Sequence, residues 1–466
     1  MRLTVKRGLQ ESTMEFHRDI LLWDALAEMG YVLGRPCGGR GVCGRCEVIA
    51  NGEPVRTCVT YLEEDMVIEE LPLSEEMEVM TEGKAVVPSG DVTVKNGYGL
   101  AVDIGTTTIA AYLYKFPEGE PVRTSCCVNP QVRYGADVVT RMEYALNGGA
   151  GDLQSCLQKK IDELTGDFKI DKYVITGNTT MLHLLMGKSL KGMACAPYMP
   201  ESLFGKWYGK RYLPPCISAF IGADITCAVL ASGMLEKKTV LLVDIGTNGE
   251  MVLYKDGKLI CCSAAAGPAF EGAEISQGMC AERGAINRVY WEDNGTRYTT
   301  IGGAMPRGIC GSGLVDAIAV MLEEGTLDDT GYLEEPYEIG DSKVFITPED
   351  VRQLQLAKAA IRAGLETLLQ EAGCSYEELE CFYIAGGFGS YIDKVSAAKI
   401  GLIPGKLLDK ACVIGNAAGA GASMILQSQS CLEHAEQIAK RAEILQLADS
   451  TYFAEKYVEC MMFECE

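Results

Sequence analysis

Positive charge is scarce in this sequence: 42 Lys and Arg stand against 64 Asp and Glu, a formal net charge of −22. That balance opposes any surface that tracks phosphates, so nucleic acid and anionic membrane are poor partners, and a basic patch on another protein is a better one. Long apolar runs are also missing. No charge-free stretch reaches the roughly 18 residues that span a bilayer, and no basic segment followed by an apolar one opens the chain, so a cytoplasmic protein is expected. The three histidines, His17, His183 and His434, have no motif around them and carry no argument. What remains is a 466-residue globular chain, 48% hydrophobic, long enough for two or three domains with sizeable cores.

Cysteine, by contrast, is plentiful. Twenty occur, and Cys37, Cys43, Cys46 and Cys58 form C-x5-C-x2-C-x11-C within CGGRGVCGRCEV and the strand after it. Four thiolates at such spacing are the usual ligand set of a [2Fe–2S] cluster, and Gly38, Gly39, Gly41 and Gly44 let the loop curl so that N–H groups face the sulfurs. The first gap is five residues rather than the four of plant-type ferredoxins, which is similar to the loop of adrenodoxin-like ferredoxins. Tetrahedral zinc is the alternative that such a quartet allows. The other sixteen cysteines are scattered, Cys227 and Cys412 among them, and are expected to be reduced thiols. The vicinal pairs Cys126-Cys127 and Cys261-Cys262 are expected to be buried small apolar side chains.

Residues 2–6 alternate as a strand, and residues 19–29 place Leu22, Ala25, Leu26 and Met29 at helical spacing. EVIANGEPVRTCV predicts a hairpin around Asn51-Gly52, and DMVIEEL adds a closing strand. Strand, helix, cysteine loop and hairpin predict an α+β β-grasp ferredoxin domain over residues 1–72. Residues 73–97 are charged and punctuated by Pro88-Ser89-Gly90, and predict a flexible linker. Its 25 residues reach roughly 25–30 Å as a coil, enough to swing a cluster between donor and acceptor.

Beyond the linker the sequence repeats itself. LAVDIGTTTIAAYLY at 100–114 and LLVDIGTNGEMVLY at 241–254 each predict an apolar strand ending in Asp, a Gly-Thr turn and a second apolar strand. The tip of such a hairpin offers N–H and hydroxyl donors to phosphate, and two facing hairpins bracket a nucleotide. A third element, YIAGGFGSYID at 383–393, is a strand running into a turn at Gly386, Gly387 and Gly389, where backbone can lie against a base or sugar. In this order the three elements resemble the phosphate-1, phosphate-2 and adenosine elements of the acetate kinase, sugar kinase, Hsp70 and actin superfamily. That resemblance implies a two-lobed α/β domain, with lobe I over 98–236 and lobe II, including carboxy-terminal helices, over 237–466.

The blocks NPQVRYGADV (129–138), ITGNTTMLHLLMG (175–187), GPAFEGAEISQGMCAERGAI (267–286) and GICGSGLVDAI (308–318) narrow this further. With the cysteine-rich head they resemble the ATP-dependent reductive activators of corrinoid proteins and corrinoid-dependent methyltransferases. The resemblance implies one-electron transfer from a [2Fe–2S] cluster, driven by ATP and Mg²⁺, that returns cobalt from Co(II) to Co(I). It also implies as partners a corrinoid protein or methyltransferase, an electron donor such as a ferredoxin or flavoprotein, and a second copy in a homodimer. Against the homodimer, no sizeable domain stands between the linker and DIGTTT. The carboxy terminus, with only Cys460 and Cys465, argues against further [4Fe–4S] clusters.

Chemistry assigns the roles. Asp103 and Asp244, at the strand ends, are candidates to hold Mg²⁺ through water or to orient an attacking water, because hard cations take carboxylate oxygens. Gly105, Thr106, Thr107, Thr108, Gly246, Thr247, Asn248 and Gly249 are candidates to cradle phosphate, and Glu250 to activate water, its alternative being an outward, solvated carboxylate. Gly311, Ser312 and Gly313 begin an amphipathic helix whose N-terminus suits phosphate or ribose, and GPAFEGAEI does the same with Glu271 and Glu274, capping being the alternative for both. Asn178 and Thr179 either line the cleft or cap a helix. Residues 430–447 predict an amphipathic helix packed on the core. Two other functions fit the same residues: an ATP-driven activator of another low-potential enzyme, and a small-molecule kinase.

Overall fold

The computed structural model describes residues 1–7, 10–16, 20–29, 31, 33, 46–70, 96–292, 295–388 and 391–463. In the amino-terminal unit, Arg2–Arg7 pairs antiparallel with Gln10–Glu15 and parallel with Met66–Glu70. Glu47–Ala50 and Glu53–Arg56 complete a five-stranded mixed sheet. Both turn residues of the predicted hairpin have positive φ, 51° at Asn51 and 82° at Gly52, as a turn matched to the strand twist requires. Leu3, Val5, Val48 and Ile68 from the sheet enclose Leu22, Trp23 and Leu26 from the helix Leu22–Glu28. That helix is shorter than the predicted 19–29, because Ile20–Leu21 instead pairs with Tyr61–Leu62. The strand Gln10–Glu15 was not foreseen: its sequence, QESTME, lies at the sheet edge and shows no apolar alternation. Cys37, Cys43 and the whole span 73–95 of the predicted linker lie outside the described residues.

Two six-stranded sheets repeat one plan. In the first, Gly97–Ile104 and Thr108–Phe116 form the first predicted hairpin; Glu120–Val128 extends it on one side and Ile170–Gly177 lies parallel on the other. In the second, Thr239–Ile245 and Gly249–Lys255 form the other hairpin, extended by Lys258–Ala264, with Cys381–Ala385 parallel to the first strand. The apolar strand sequences leave Leu100, Ala101 and Val102 buried in one sheet and Leu241, Leu242 and Val243 in the other. Burial on both faces is what a central strand needs. Cys261 and Cys262 are buried as expected, whereas Cys126 and Cys127 are only half-buried; Cys227 is buried, and Cys412 is exposed on the edge strand Ala411–Gly415.

Helices Ala223–Ser232 and Ala417–Gln427 pack on each other at close range. A β-carbon on Gly421 would stand 2.1 Å from the carbonyl oxygen of Cys227. Ile225, Ala228 and Val229 join the core that holds Val240 and Leu242, and Ala422, Ile425 and Leu426 join the one that holds Ala101 and Ala110. We propose the lobe division 98–236 and 237–466, with the segment 417–441 returning from the second lobe onto the first sheet. The expected amphipathic helix runs Gln429–Arg441, burying Cys431, Leu432, Ala435 and Ile438, and ends before the strand Ala442–Ile444. Among the described residues no helix is long and apolar enough to cross a membrane.

Candidate functional site

The two hairpins present their tips to one cavity. From the first come Asp103, Gly105, Thr106, Thr107 and Thr108; from the second, Asp244, Gly246, Thr247, Asn248 and Glu250. The glycine turn after Cys381–Ala385 adds Gly386 and Gly387, and the start of helix Gly311–Glu324 adds Gly311 and Ser312. Gly389 lies outside the described residues. Gly249 and Gly313 are not among the residues that line the cavity. A β-carbon on Gly249 would stand 2.7 Å from the Ile361 side chain, and one on Gly313 would stand 2.2 Å from the Ile286 carbonyl oxygen. Both glycines exist for packing, one against the long helix Pro348–Glu371 and the other against the strand Ala285–Glu292.

Local hydrogen bonds hold the tips. Asn129, from the NPQ block, donates through Nδ2 to the Gly105 carbonyl at 2.8 Å, and its N–H donates to the Thr107 carbonyl at 2.8 Å. Asn178 does both jobs proposed for it: Oδ1 caps helix Thr179–Leu185 by accepting from Met181 N–H, and Nδ2 donates to Thr106 Oγ1 at 3.2 Å. Ser312 directs its hydroxyl to the Asn287 carbonyl, so that what the helix start offers a ligand is backbone N–H. Gly386 has φ 94°, and a β-carbon there would stand 2.5 Å from Asp244 Oδ1, so the third element approaches the second hairpin as only glycine permits.

The electrostatics of the cavity are dominated by carboxylates, Glu250 buried and Asp103, Asp224 and Asp244 half-buried. Glu250 sits directly across the hairpin from Asp244 and is 7% exposed, so it is not the solvated carboxylate that its position after a turn suggests. Asp224, at the start of helix Ala223–Ser232, joins Asp103, Asp244 and Glu250 on the cavity wall. Burial, then the charge of Asp224, pushes Asp103 up to about 7; burial, then Asp224 and Asp103, does the same to Asp244. Burial lifts Asp224 to about 6, and raises Glu250 in the same direction. Burial and mutual repulsion favour the protonated forms of these groups, and a cation in the cavity would favour the charged ones. Among the described residues no three His, Cys, Asp or Glu side chains converge tightly enough to cage a metal. Mg²⁺ asks less of a protein than a fully caged ion does, because it keeps several waters and takes further oxygens from phosphates.

The sign of the resulting pH effect is fixed. Asp103 and Asp244 bind protons more tightly folded than unfolded, so their contribution to stability is full below their ordinary 3.8 and is lost as pH rises to about 7. In Mg²⁺-free buffer, thermal unfolding followed across that window is expected to show the loss, and the double variant Asp103→Asn/Asp244→Asn to show a flatter profile. Adding Mg²⁺ and nucleotide should restore stability most at the alkaline end.

Two residues of the site have no local signal. Asp224 in IGADITCA has the sequence appearance of an ordinary acidic residue in a helix's first turn. Asn416 caps helix Ala417–Gln427 and donates from Nδ2 to Asp103 Oδ2 at 3.0 Å, across 313 residues of sequence. The run GNAAGAG, small residues after an Asn, is the one sequence cue to that helix. In the amino-terminal unit, the hairpin register brings Cys46 opposite Thr57: Thr57 donates to the Cys46 carbonyl through both N–H, at 3.1 Å, and Oγ1, at 3.0 Å. Cys46 and Cys58 are therefore held, buried, at one end of the same hairpin.

Paired sheets, each with a phosphate-type hairpin, a glycine turn beside the second, and acids between them define a protein of the acetate kinase, sugar kinase, Hsp70 and actin fold. Residues 238–466 match the family model described as the C-terminal domain of RACo, the ASKHA domain, and residues 98–237 match the RACo middle region. The chain is 32% identical over 445 residues to the corrinoid activation enzyme RamQ of Eubacterium limosum, covering 84% of this chain and 74% of that protein. It is 29% identical over 412 residues to the [Co(II) methylated amine-specific corrinoid protein] reductase of Methanosarcina barkeri, covering 78% of this chain and 76% of that one. The solved reductive activator for corrinoid, iron–sulfur protein superposes with a TM-score of 0.71 at 26% identity, over 99% of this chain and 98% of that one. The chain belongs to the RACo family of reductive activators of corrinoid proteins.

Proposed function

We propose that this chain is an ATP-dependent activator that reduces the cobalt of a corrinoid protein from Co(II) to Co(I), one electron at a time. The observation that carries the reading is the meeting of two hairpin tips over a group of carboxylates, in a chain headed by a cysteine quartet. Cys37, Cys43, Cys46 and Cys58 would hold a [2Fe–2S] cluster, which when bound stores and releases a single electron. Asp103 and Asp244 would position Mg²⁺ through water, with Glu250 oriented toward the attacking water. The hydroxyls and N–H groups of Thr106, Thr107, Thr108, Thr247 and Asn248, beside Gly105 and Gly246, receive the phosphates. Gly386 and Gly387 lie flat against adenosine, and the start of helix Gly311–Glu324 faces phosphate or ribose. The Co(II)/Co(I) couple lies below the roughly −400 mV of a plant-type ferredoxin, so delivery is uphill unless nucleotide changes the activator–corrinoid complex.

The test is anaerobic mixing of the reduced protein with a Co(II) corrinoid protein, with and without Mg²⁺ and ATP, while the Co(I) absorption band is followed. The band is expected to grow only with nucleotide. Equal growth without it would remove the coupling.

A further inference from the structure

One carboxylate joins the two hairpin tips. Thr107 Oγ1, on the first tip, donates to Glu271 Oε2 at 2.5 Å, and Thr247 Oγ1, on the second, donates to Glu271 Oε1 at 2.9 Å. The acceptor is 164 residues from one partner and 24 from the other. It ends the short helix Pro268–Glu271, whose Phe270 stacks on Phe388, next to Gly387 in the glycine turn, with ring centroids 4.8 Å apart. Positive charge stands behind the first tip. Arg141 is wholly buried, reaches Met181 Sδ at 3.4 Å, and the same sulfur meets Asn129, which holds Gly105. Nη2 of Arg141 has no hydrogen-bond partner among the described residues.

We propose that Glu271 is the residue by which the cleft distinguishes a nucleoside triphosphate from a diphosphate, its carboxylate occupying the two hydroxyls that the terminal phosphate must take. The inference rests on the nucleotide reading of the cleft. On that reading, with the base by Gly386 and Gly387, the phosphates extend toward the hairpin tips that carry Thr107 and Thr247. Only the phosphate farthest from the base meets both tips. There it finds both hydroxyls already donating to the Glu271 carboxylate, and a hydroxyl has one proton to give. Binding of the third phosphate therefore expels the carboxylate and breaks a tie between the lobes; part of the binding energy becomes a change of shape. A diphosphate stops short and leaves the tie intact.

The experiment is calorimetric titration of the full chain, wild type, Glu271→Gln and Glu271→Ala, with Mg²⁺ and either ADP or a non-hydrolysable ATP analogue. Melting temperature and cluster absorption report folding. Removing the charge should tighten the triphosphate analogue by about tenfold and leave ADP unchanged. The inference is overturned if both nucleotides shift together, if neither shifts, or if the triphosphate binds more weakly in both folded variants. A wild-type protein that binds neither nucleotide overturns the reading of the cleft itself.

Discussion

Serine in place of Cys46 is expected to leave the protein without visible cluster absorption after anaerobic reconstitution with iron and sulfide, and without the ability to form Co(I), while nucleotide titration is unchanged. The thiolate, not the thiol, is the ligand, and a serine hydroxyl neither ionises near neutral pH nor matches the softness of iron–sulfur bonding. Cys46 is buried and fixed by two hydrogen bonds from Thr57 to its carbonyl, so on the cluster reading the change removes a thiolate from an already ordered position. The cleft draws its lining from Asp103 onward and takes nothing from the described residues among the first 70, which is why binding should survive. A folded Cys46→Ser protein that no longer bound nucleotide would disprove the independence of the two units.

Asparagine in place of Asp244 is expected to do the reverse. Hydrolysis should fall by about 10²–10⁴-fold, the usual size of a lost acid–base or charge-stabilising group, with cluster absorption intact. Asp244 carries its carboxylate at a strand end, across from Glu250 and against the backbone of Gly386, so an isosteric amide keeps the packing and removes only charge. The same change relieves repulsion among Asp103, Asp224, Asp244 and Glu250, and the Mg²⁺-free protein should melt higher at alkaline pH than wild type. Lost activity with gained stability marks a site held under electrostatic strain. Undiminished hydrolysis would show that Asp244 is not part of the machinery.

The hairpins were legible in the sequence because each is a short-range object: an apolar strand, an Asp, a Gly-Thr turn and an apolar return fit within fifteen residues. The head's hairpin was legible for the same reason, from Asn51-Gly52. Glycine was the less faithful guide. Gly105, Gly246, Gly311, Gly386 and Gly387 reach the cavity, whereas Gly249 and Gly313 are small because Ile361 and the Ile286 carbonyl press on them. A glycine required by a ligand and one required by a neighbouring element look the same in one dimension. Glu271 fell between the two: its block reads as a helix start, yet only the single turn Pro268–Glu271 forms and Glu274 lies outside it at φ 62°, and nothing in GPAFEGAEI says that the Glu271 carboxylate spans both tips.

The sequence by itself determined the chemistry available to this protein: four thiolates at cluster spacing, two phosphate-type turns, a glycine turn and an acidic surface. Spacing suffices there, since ligands and turn donors come from residues close along the chain. Only the tertiary structure decided which groups share the cavity, because Asp224 enters on a helix between the sheets, Asn416 reaches Asp103 across 313 residues, and Glu271 reaches Thr107 across 164. Those meetings follow from how two sheets and two helices pack, and packing is a property of surfaces brought together rather than of any one segment.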